Sequence, residues 1–305
     1  MKKITAVVVT YNRCDLLKRC LEALLRQTYP CEILIIDNAS EDATGEMLEK
    51  FEEPAIRVLQ LEKNLGGAGG FYTGMKKAVE DGSEYIWLMD DDTFPEPDAL
   101  EQLMKADENL NGEYGFLSSA VQWTDGSACK MNCQKIKKDY FRQLHRLADG
   151  MVLVEYASFV SLLFKRETIL EAGLPIKEYF IWGDDIEYTT RLTAVLKKDA
   201  YLVGKSLVTH AMKANTGSNL AKDTVDRLSR YVYAFRNEAC TARRRGAYEI
   251  YRYLGRCVKL FFMILFGASG HRFRRWGCLF SGMLKGCFFH PKIEYVEPYD
   301  QHKVE

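Results

Sequence analysis

Three consecutive carboxylates, Asp90, Asp91 and Asp92, end the apolar run that opens "YIWLMDDDTFPEPDAL". Asp90 and Asp92 are separated by one residue at a strand end, so both can turn into one crevice as the extended chain curls into a turn. Oxygen donors gathered this way suit a hard divalent ion, Mg2+ or Mn2+, that could be shared with a phosphate substrate. On the residues alone, an acidic cap ahead of the helix starting in "PEPDAL" explains the triplet too. A second acidic group lies in "WGDDIEY", where Asp184, Asp185 and Glu187 begin a helix whose dipole favours negative charge. The run "NLGGAGG" holds Asn64, Gly66, Gly67, Gly69 and Gly70; it allows close backbone approach to a ligand just before a helix N-terminus. His210, in "LVTHAMKANTGSN", is a lone histidine after a strand.

Short β-branched runs alternate with helical patterns over the first 110 residues. "ITAVVVTY" (4–11), "CEILIIDN" (31–38), "IRVLQLE" (56–62) and "YIWLMD" (85–90) read as strands, and their nearly continuous apolar character means burial on both faces. Leu16, Leu17, Cys20, Leu21, Leu24 and Leu25 repeat at helical spacing behind Asp15, which the pattern makes the N-cap. This βαβαβαβ order implies a mostly parallel sheet with helices on both faces and a ligand crevice beyond the carboxyl ends of the strands. Thr10, Tyr11 and Arg13, then Asp37, then Asn64 and the glycines, then the Asp triplet, all fall at such ends. Residues 111–155 are less regular and carry no readable motif. A strand, a short helix, the "WGDDIEY" helix and another strand follow, and from about residue 222 the pattern becomes helical and basic.

Lys plus Arg balances Asp plus Glu at 42 each, so total charge makes no case for nucleic acid as a partner. The distribution is uneven: residues 236–292 hold twelve Lys/Arg and two acids, roughly +10 against roughly −10 for the remainder. Nine cysteines, scattered and without a C-x-x-C pair, read as reduced thiols of a cytosolic protein. The opening "MKKITAVVVTYNRCD" mimics a signal peptide, but its apolar run of about seven residues falls below the usual length. A dinucleotide-dependent oxidoreductase would carry its glycine turn after the first strand. Here that strand ends in "TYNRCD".

The order "VVVTYNR", "IIDNAS", "NLGGAGGFYTGM", "WLMDDDTFPEPDAL", "FIWGDDIEYTTR" and a final His resembles family 2 glycosyltransferases of the GT-A fold over about residues 4–215. Within them it looks most like the bacterial branch of galactofuranosyl- and rhamnosyltransferases. The resemblance implies an α/β GT-A catalytic domain over 1–221, with a nucleotide-sugar half (about 1–110) and an acceptor half (about 111–221). It makes the triplet a D-x-D site in which Asp90, Asp92 and His210 hold Mn2+ or Mg2+ against the leaving diphosphate. Thr10, Tyr11, Arg13, Asp37, Asn64, Gly66, Gly67, Gly69 and Asp91 are then donor contacts, with Asp91 toward ribose or sugar. Asp185 becomes the base of an inverting transfer, while Trp182, Asp184 and Glu187 receive the acceptor sugar. UDP-galactofuranose is the first implied donor and dTDP-rhamnose the second. A catalytically inactive scaffold of the same fold is the alternative of another class.

Residues 222–305 form the helical, basic C-terminal region. Its apolar centre, Val258 to Ala268, is about eleven residues long and contains Lys259, against the ~20 needed to span a bilayer. With Arg243, Arg244, Arg245, Arg252, Arg256, Arg272, Arg274 and Arg275, this composition suits attachment to an anionic cytoplasmic leaflet. Packing against the catalytic domain, or an oligomer contact with the arginines solvated, suits it too. Peripheral attachment to the inner face of the plasma membrane would fit an acceptor glycan linked to lipid.

Overall fold

The computed structural model describes residues 2–297 except Glu52 and Ser269; residues 298–305, the end of the expected C-terminal region, lie outside the described residues. Its first part runs β1 (Ile4–Thr10), α1 (Cys14–Leu25), β2 (Glu32–Asp37), α2 (Thr44–Glu49), β3 (Ile56–Gln60), α3 (Gly66–Glu80) and β4 (Tyr85–Asp90). There follow β5 (Thr93–Pro95), α4 (Ala99–Asn109), β6 (Leu117–Gln122), β7 (Lys135–Ile136), β8 (Met151–Tyr156), β9 (Leu162–Lys165), α5 (Arg166–Ala172), α6 (Asp184–Thr190) and β10 (Tyr201–His210). The chain then becomes helical as α7 (Leu228–Arg245), α8 (Ala247–Gly267) and α9 (Arg272–Phe288).

One sheet, ordered β3-β2-β1-β4-β9-β6-β10-β8-β7, carries the fold. β3, β2, β1 and β4 are parallel, as their βαβ spacing predicts; beyond them β9 pairs antiparallel with β4 and β6, and β8 antiparallel with β10. β1 is buried throughout. Ala6 and Val8 pack among Leu17, Leu21, Trp87 and Leu103, while Val7 and Val9 face Phe71, Met75 and Ala78. Each fully buried side chain of this size contributes roughly 1.5–3 kcal/mol, so a strand of alternating faces is fixed from both sides and its carboxyl end cannot drift.

α1 begins at Cys14, so Asp15 lies inside the first turn rather than capping it. The cap comes from the next crossover: the Cys14 backbone N–H donates to the Asp42 carboxylate at 3.4 Å. The helical region has its own core of Leu228, Tyr231, Phe235, Ile264 and Leu279. It is tied to the sheet domain by Tyr179 and Thr241, whose hydroxyls lie 2.9 Å apart, and by the Arg245–Glu155 ion pair at 3.3 Å. The segment after α9 returns to the sheet domain, where the Leu174 N–H donates to the Glu294 carbonyl at 2.8 Å and Val296 is buried in the core.

Candidate active site

The pairing of β5 with β10 brings together residues far apart in the chain. In this short antiparallel ladder His210 stands opposite Thr93, and the Ala211 N–H donates to the Asp92 carbonyl at 2.8 Å. One donor atom each from Asp90, Asp92 and His210 therefore lies within 4.8 Å of the others. Asp92 and His210 are buried, with His210 Nε2 2.9 Å from Asp92 Oδ1. Burial works against the imidazolium, but the Asp92 hydrogen bond and the charges of Asp92 and Asp90 prevail and push His210 up to about 10. Burial and the neighbouring Asp92 charge push Asp90 up to about 7, offset in part by His210. Asp92 goes the other way: despite burial, His210 and Arg13 hold its carboxylate below the usual range.

Two carboxylates and one imidazole fit Mn2+ or Mg2+ and leave coordination positions open for phosphate oxygens and water. A residue with no sequence signal sets the imidazole's orientation. The Asn132 carbonyl oxygen lies 2.7 Å from His210 Nδ1, and the Asn132 amide donates to Ser158 Oγ at 2.8 Å. With Nδ1 held by this oxygen, Nε2 faces the carboxylates and is the nitrogen that would give up its proton in favour of a bound cation. Cys129, whose thiol donates to the same Asn132 oxygen at 3.1 Å, packs behind it. Both residues come from the irregular segment after β6.

The middle carboxylate faces the other way. Asp91 is buried and accepts from Thr10 Oγ1 at 2.8 Å and from Arg13 at 3.0 Å; Arg13 also donates to Asp92 at 2.6 Å. Burial pushes Asp91 up to about 6 against the pull of Arg13. Asp91 is thus engaged by protein rather than turned toward ribose or sugar as expected, and Thr10 and Arg13 support the triplet from β1. Tyr11 is exposed at the same edge. Asp37 is buried, with one oxygen accepting from the Ser40 N–H at 3.0 Å in the turn after β2.

The glycine run is held by two asparagines. Asn38 accepts from the Leu65 N–H at 2.8 Å and donates to the Gly66 carbonyl at 2.9 Å, while the Gly66 N–H donates to the Asn64 side chain at 2.7 Å. Gly66 has φ +73°, and a Cβ there would stand 2.0 Å from the Phe180 carbonyl oxygen. At Gly69 and Gly70 a Cβ would strike Leu65 and Val9, each at 2.4 Å. The smallness of Gly66, Gly69 and Gly70 therefore serves packing against the Phe180 loop, Leu65 and Val9 of β1, and Gly67 is the member of the run left facing open space.

That loop leads into the second acidic group. Phe180, Trp182 and Gly183 have φ of 64°, 63° and 90°, a clustering of left-handed residues that costs roughly 1–3 kcal/mol per non-glycine member. The buried Asn237 of α7 offsets it, donating to the carbonyls of Tyr179, Ile181 and Trp182 at 2.9, 3.1 and 2.8 Å. Behind the loop, Asp184 is buried, and burial with the charges of Asp185 and Asp90 raises it well above the carboxylate range. Asp185 is partly exposed and burial pushes it up to about 6, although the Ile186 N–H donates to it at 2.7 Å. Trp182 sits edge-on to Tyr231 at 5.0 Å with the Arg227 guanidinium 5.6 Å over its ring, so α7 borders this side of the crevice.

Glu187 does not share the space. It is buried and paired with Arg191 one turn on, through Nε at 3.1 Å and through a second, shorter contact. Arg191 also donates to the carbonyls of Ala172 and Leu174 at 2.9 and 3.0 Å. A carboxylate committed this way is not available to an acceptor sugar, which corrects that expectation; the Glu–Arg spacing of four was the signal for an intrahelical pair.

Comparison with known proteins bears on this geometry. Residues 5–117 match the family described as Glycosyl transferase family 2. The chain is 31% identical over 197 residues to galactofuranosyltransferase GlfT1 of Mycobacterium tuberculosis (strain ATCC 25618 / H37Rv), covering 63% of this chain and 64% of that one. It is 30% identical over 196 residues to GlfT1 of Mycolicibacterium smegmatis, covering 62% and 65%. The chain thus spans just under two thirds of the length of these relatives. A crystal structure of GalNAc-T7 with UDP, GalNAc and Mn2+ superposes with a TM-score of 0.62 at 14% identity, over 79% of this chain and 48% of the other. S. aureus TarS gives 0.54 at 15% identity over 94% and 43%. These solved structures establish the GT-A fold.

Proposed function

The chain carries a glycosyl transferase family 2 domain at residues 5–117, and from that premise we propose that it moves a sugar from a nucleotide diphosphate to a glycan acceptor with inversion. The observation that carries this reading is the meeting of Asp90, Asp92 and His210 donor atoms within 4.8 Å at the carboxyl edge of a parallel sheet. These residues would hold Mn2+ or Mg2+, which when bound supplies positive charge to the departing diphosphate. Arg13 and Thr10 keep Asp91 turned away and fix the triplet's backbone. Asn132 holds the His210 ring.

Asp185 is the base. It is more open than Asp184, and a raised carboxyl near 6 is a stronger proton acceptor than an ordinary aspartate yet is ionised at neutral pH. Asp184, buried and held toward its neutral form, is suited to donate a hydrogen bond to an acceptor oxygen. Tyr11 and the Gly67 backbone border the donor side, Trp182 the acceptor side. The likeness to galactofuranosyltransferases favours UDP-galactofuranose as donor, with dTDP-rhamnose second, and a lipid-linked glycan as acceptor.

The test is a donor panel with the full chain: UDP-galactofuranose, UDP-galactopyranose and dTDP-rhamnose, each with and without Mn2+, scored by thermal stabilisation and nucleotide release. Release from UDP-galactofuranose with Mn2+ is expected. Release from dTDP-rhamnose alone would reassign the donor, and folded protein that responds to no nucleotide would favour an inactive scaffold.

A further inference from the structure

The helical region ends in an aromatic surface that no described residue covers. On α8, Phe262 and Phe266 stack in parallel at 6.3 Å, and Phe262 meets Phe261 at 5.5 Å. Phe261 then stacks on Trp276 of α9 at 5.0 Å and reaches Phe280 at 6.2 Å, while Phe273 meets Trp276 at 5.9 Å. The six rings form one continuous patch across both helices, and its outer members are solvent-facing: Phe266 is 79% and Phe273 86% exposed. Isolated exposed aromatics are ordinary, but a joined patch of this kind marks an interaction surface.

Charge identifies the occupant. Arg275 is buried, donating to the carbonyls of Gly270 and Asp223 at 2.9 and 3.0 Å. Arg243 bonds the carbonyls of Gly286 and Phe289, Arg252 pairs with Glu249, and Arg256 pairs with Glu238. Most of the arginines expected on a docking face are therefore consumed by the fold. Lys259, Arg272 and Arg274 are exposed and have no carboxylate partner among the described residues, and the last two flank Phe273. A second copy of this chain seated on the patch by a two-fold axis would set these cations against themselves. No described helix is long and apolar enough to cross a membrane.

We infer that the α8–α9 patch lies in the interface of an anionic bilayer, its rings in the acyl boundary and Lys259, Arg272 and Arg274 at the headgroups. The roughly −10 charge of the rest of the chain is repelled from the same surface and so sets the orientation. α7 packs against α9 and also clamps the Tyr179, Ile181 and Trp182 carbonyls through Asn237. Docking would therefore hold the loop that leads into Asp184 and Asp185 of α6 at a fixed height above the lipid. This deepens the proposal of a lipid-linked acceptor.

The experiment is co-sedimentation of the full chain with vesicles of phosphatidylcholine alone or with about 30 mol% phosphatidylglycerol, at about 0.1 and 0.5 M NaCl. Partition onto the anionic vesicles, reduced at least tenfold on neutral vesicles and by the higher salt, is expected. F262S/F266S and R272Q/R274Q alter exposed positions; each pair should lower binding at least tenfold with unchanged circular dichroism. Failure of the intact chain to bind anionic vesicles, or binding that neither pair changes, would overturn the inference. So would a dimer, seen by light scattering, that F262S/F266S dissolves. Mn2+-dependent nucleotide binding is measured on the same preparations, so loss of the donor reading and loss of the lipid reading are told apart.

Discussion

Replacing Asp185 by Asn should abolish transfer and make the protein more stable. Burial raises this carboxyl from 3.8 to about 6, which costs the folded state about 3 kcal/mol once the group is ionised. Partial exposure screens it, so about 1–3 kcal/mol is the expected gain. The Asn side-chain oxygen can still accept from the Ile186 N–H, leaving the local turn intact. The sign follows from linkage: a folded-state value above the unfolded one destabilises fully above pH 6, progressively less as pH falls, and not at all below about 3.8. D185N should therefore melt about 2–6 °C above the parent at pH 7.5, with the difference vanishing toward pH 4. Thermal melts across that range, beside nucleotide release at pH 7.5 falling by about 10²–10⁴, provide the assay. If Asp185 only complements the α6 dipole, the variant would lose about 0.3–1 kcal/mol and melt lower; that result would refute the reasoning.

Asn132→Ala frees the His210 ring and should weaken Mn2+ affinity about 10–100-fold, read by electron paramagnetic resonance of free Mn2+, and cost about 1–3 kcal/mol of stability because His210, Ser158 and Cys129 lose their partner. Glu187→Ala leaves Arg191 buried without its carboxylate and should destabilise by about 3–5 kcal/mol in urea denaturation. Gly66→Ala forces a side chain into a left-handed position facing the Phe180 carbonyl; it should cost about 1–3 kcal/mol and reduce donor binding measured by calorimetry.

The parallel half of the fold was legible because β1, β2 and β4 are buried on both faces, and unbroken apolar runs spaced by amphipathic segments have few other solutions. Asp90 and Asp92 stood out as excess charge at a strand end. The third member did not: β5 is three residues long and pairs with a strand more than 100 residues away, a contact no local pattern encodes, so only the family resemblance pointed to His210. Asn132 lies in a segment without periodicity, and its role depends on that same long-range pairing. The C-terminal arginines show the limit of composition: their number was plain, but Arg275 and Arg243 bond backbone carbonyls inside the helical region, and only geometry separates them from Arg272 and Arg274. Likewise the glycine run signals close approach, and the structure reveals that Val9, Leu65 and Phe180 are what approach it.

The central claim is that Asp90, Asp92 and His210 form a divalent-metal site that binds a nucleotide diphosphate. Calorimetric titration of UDP into the full chain, with and without Mn2+, and into Asp92→Ala, tests it most directly. The account predicts at least tenfold tighter UDP binding with Mn2+ and loss of that gain in the variant; equal affinity with and without Mn2+, or a gain that survives the substitution, would contradict it.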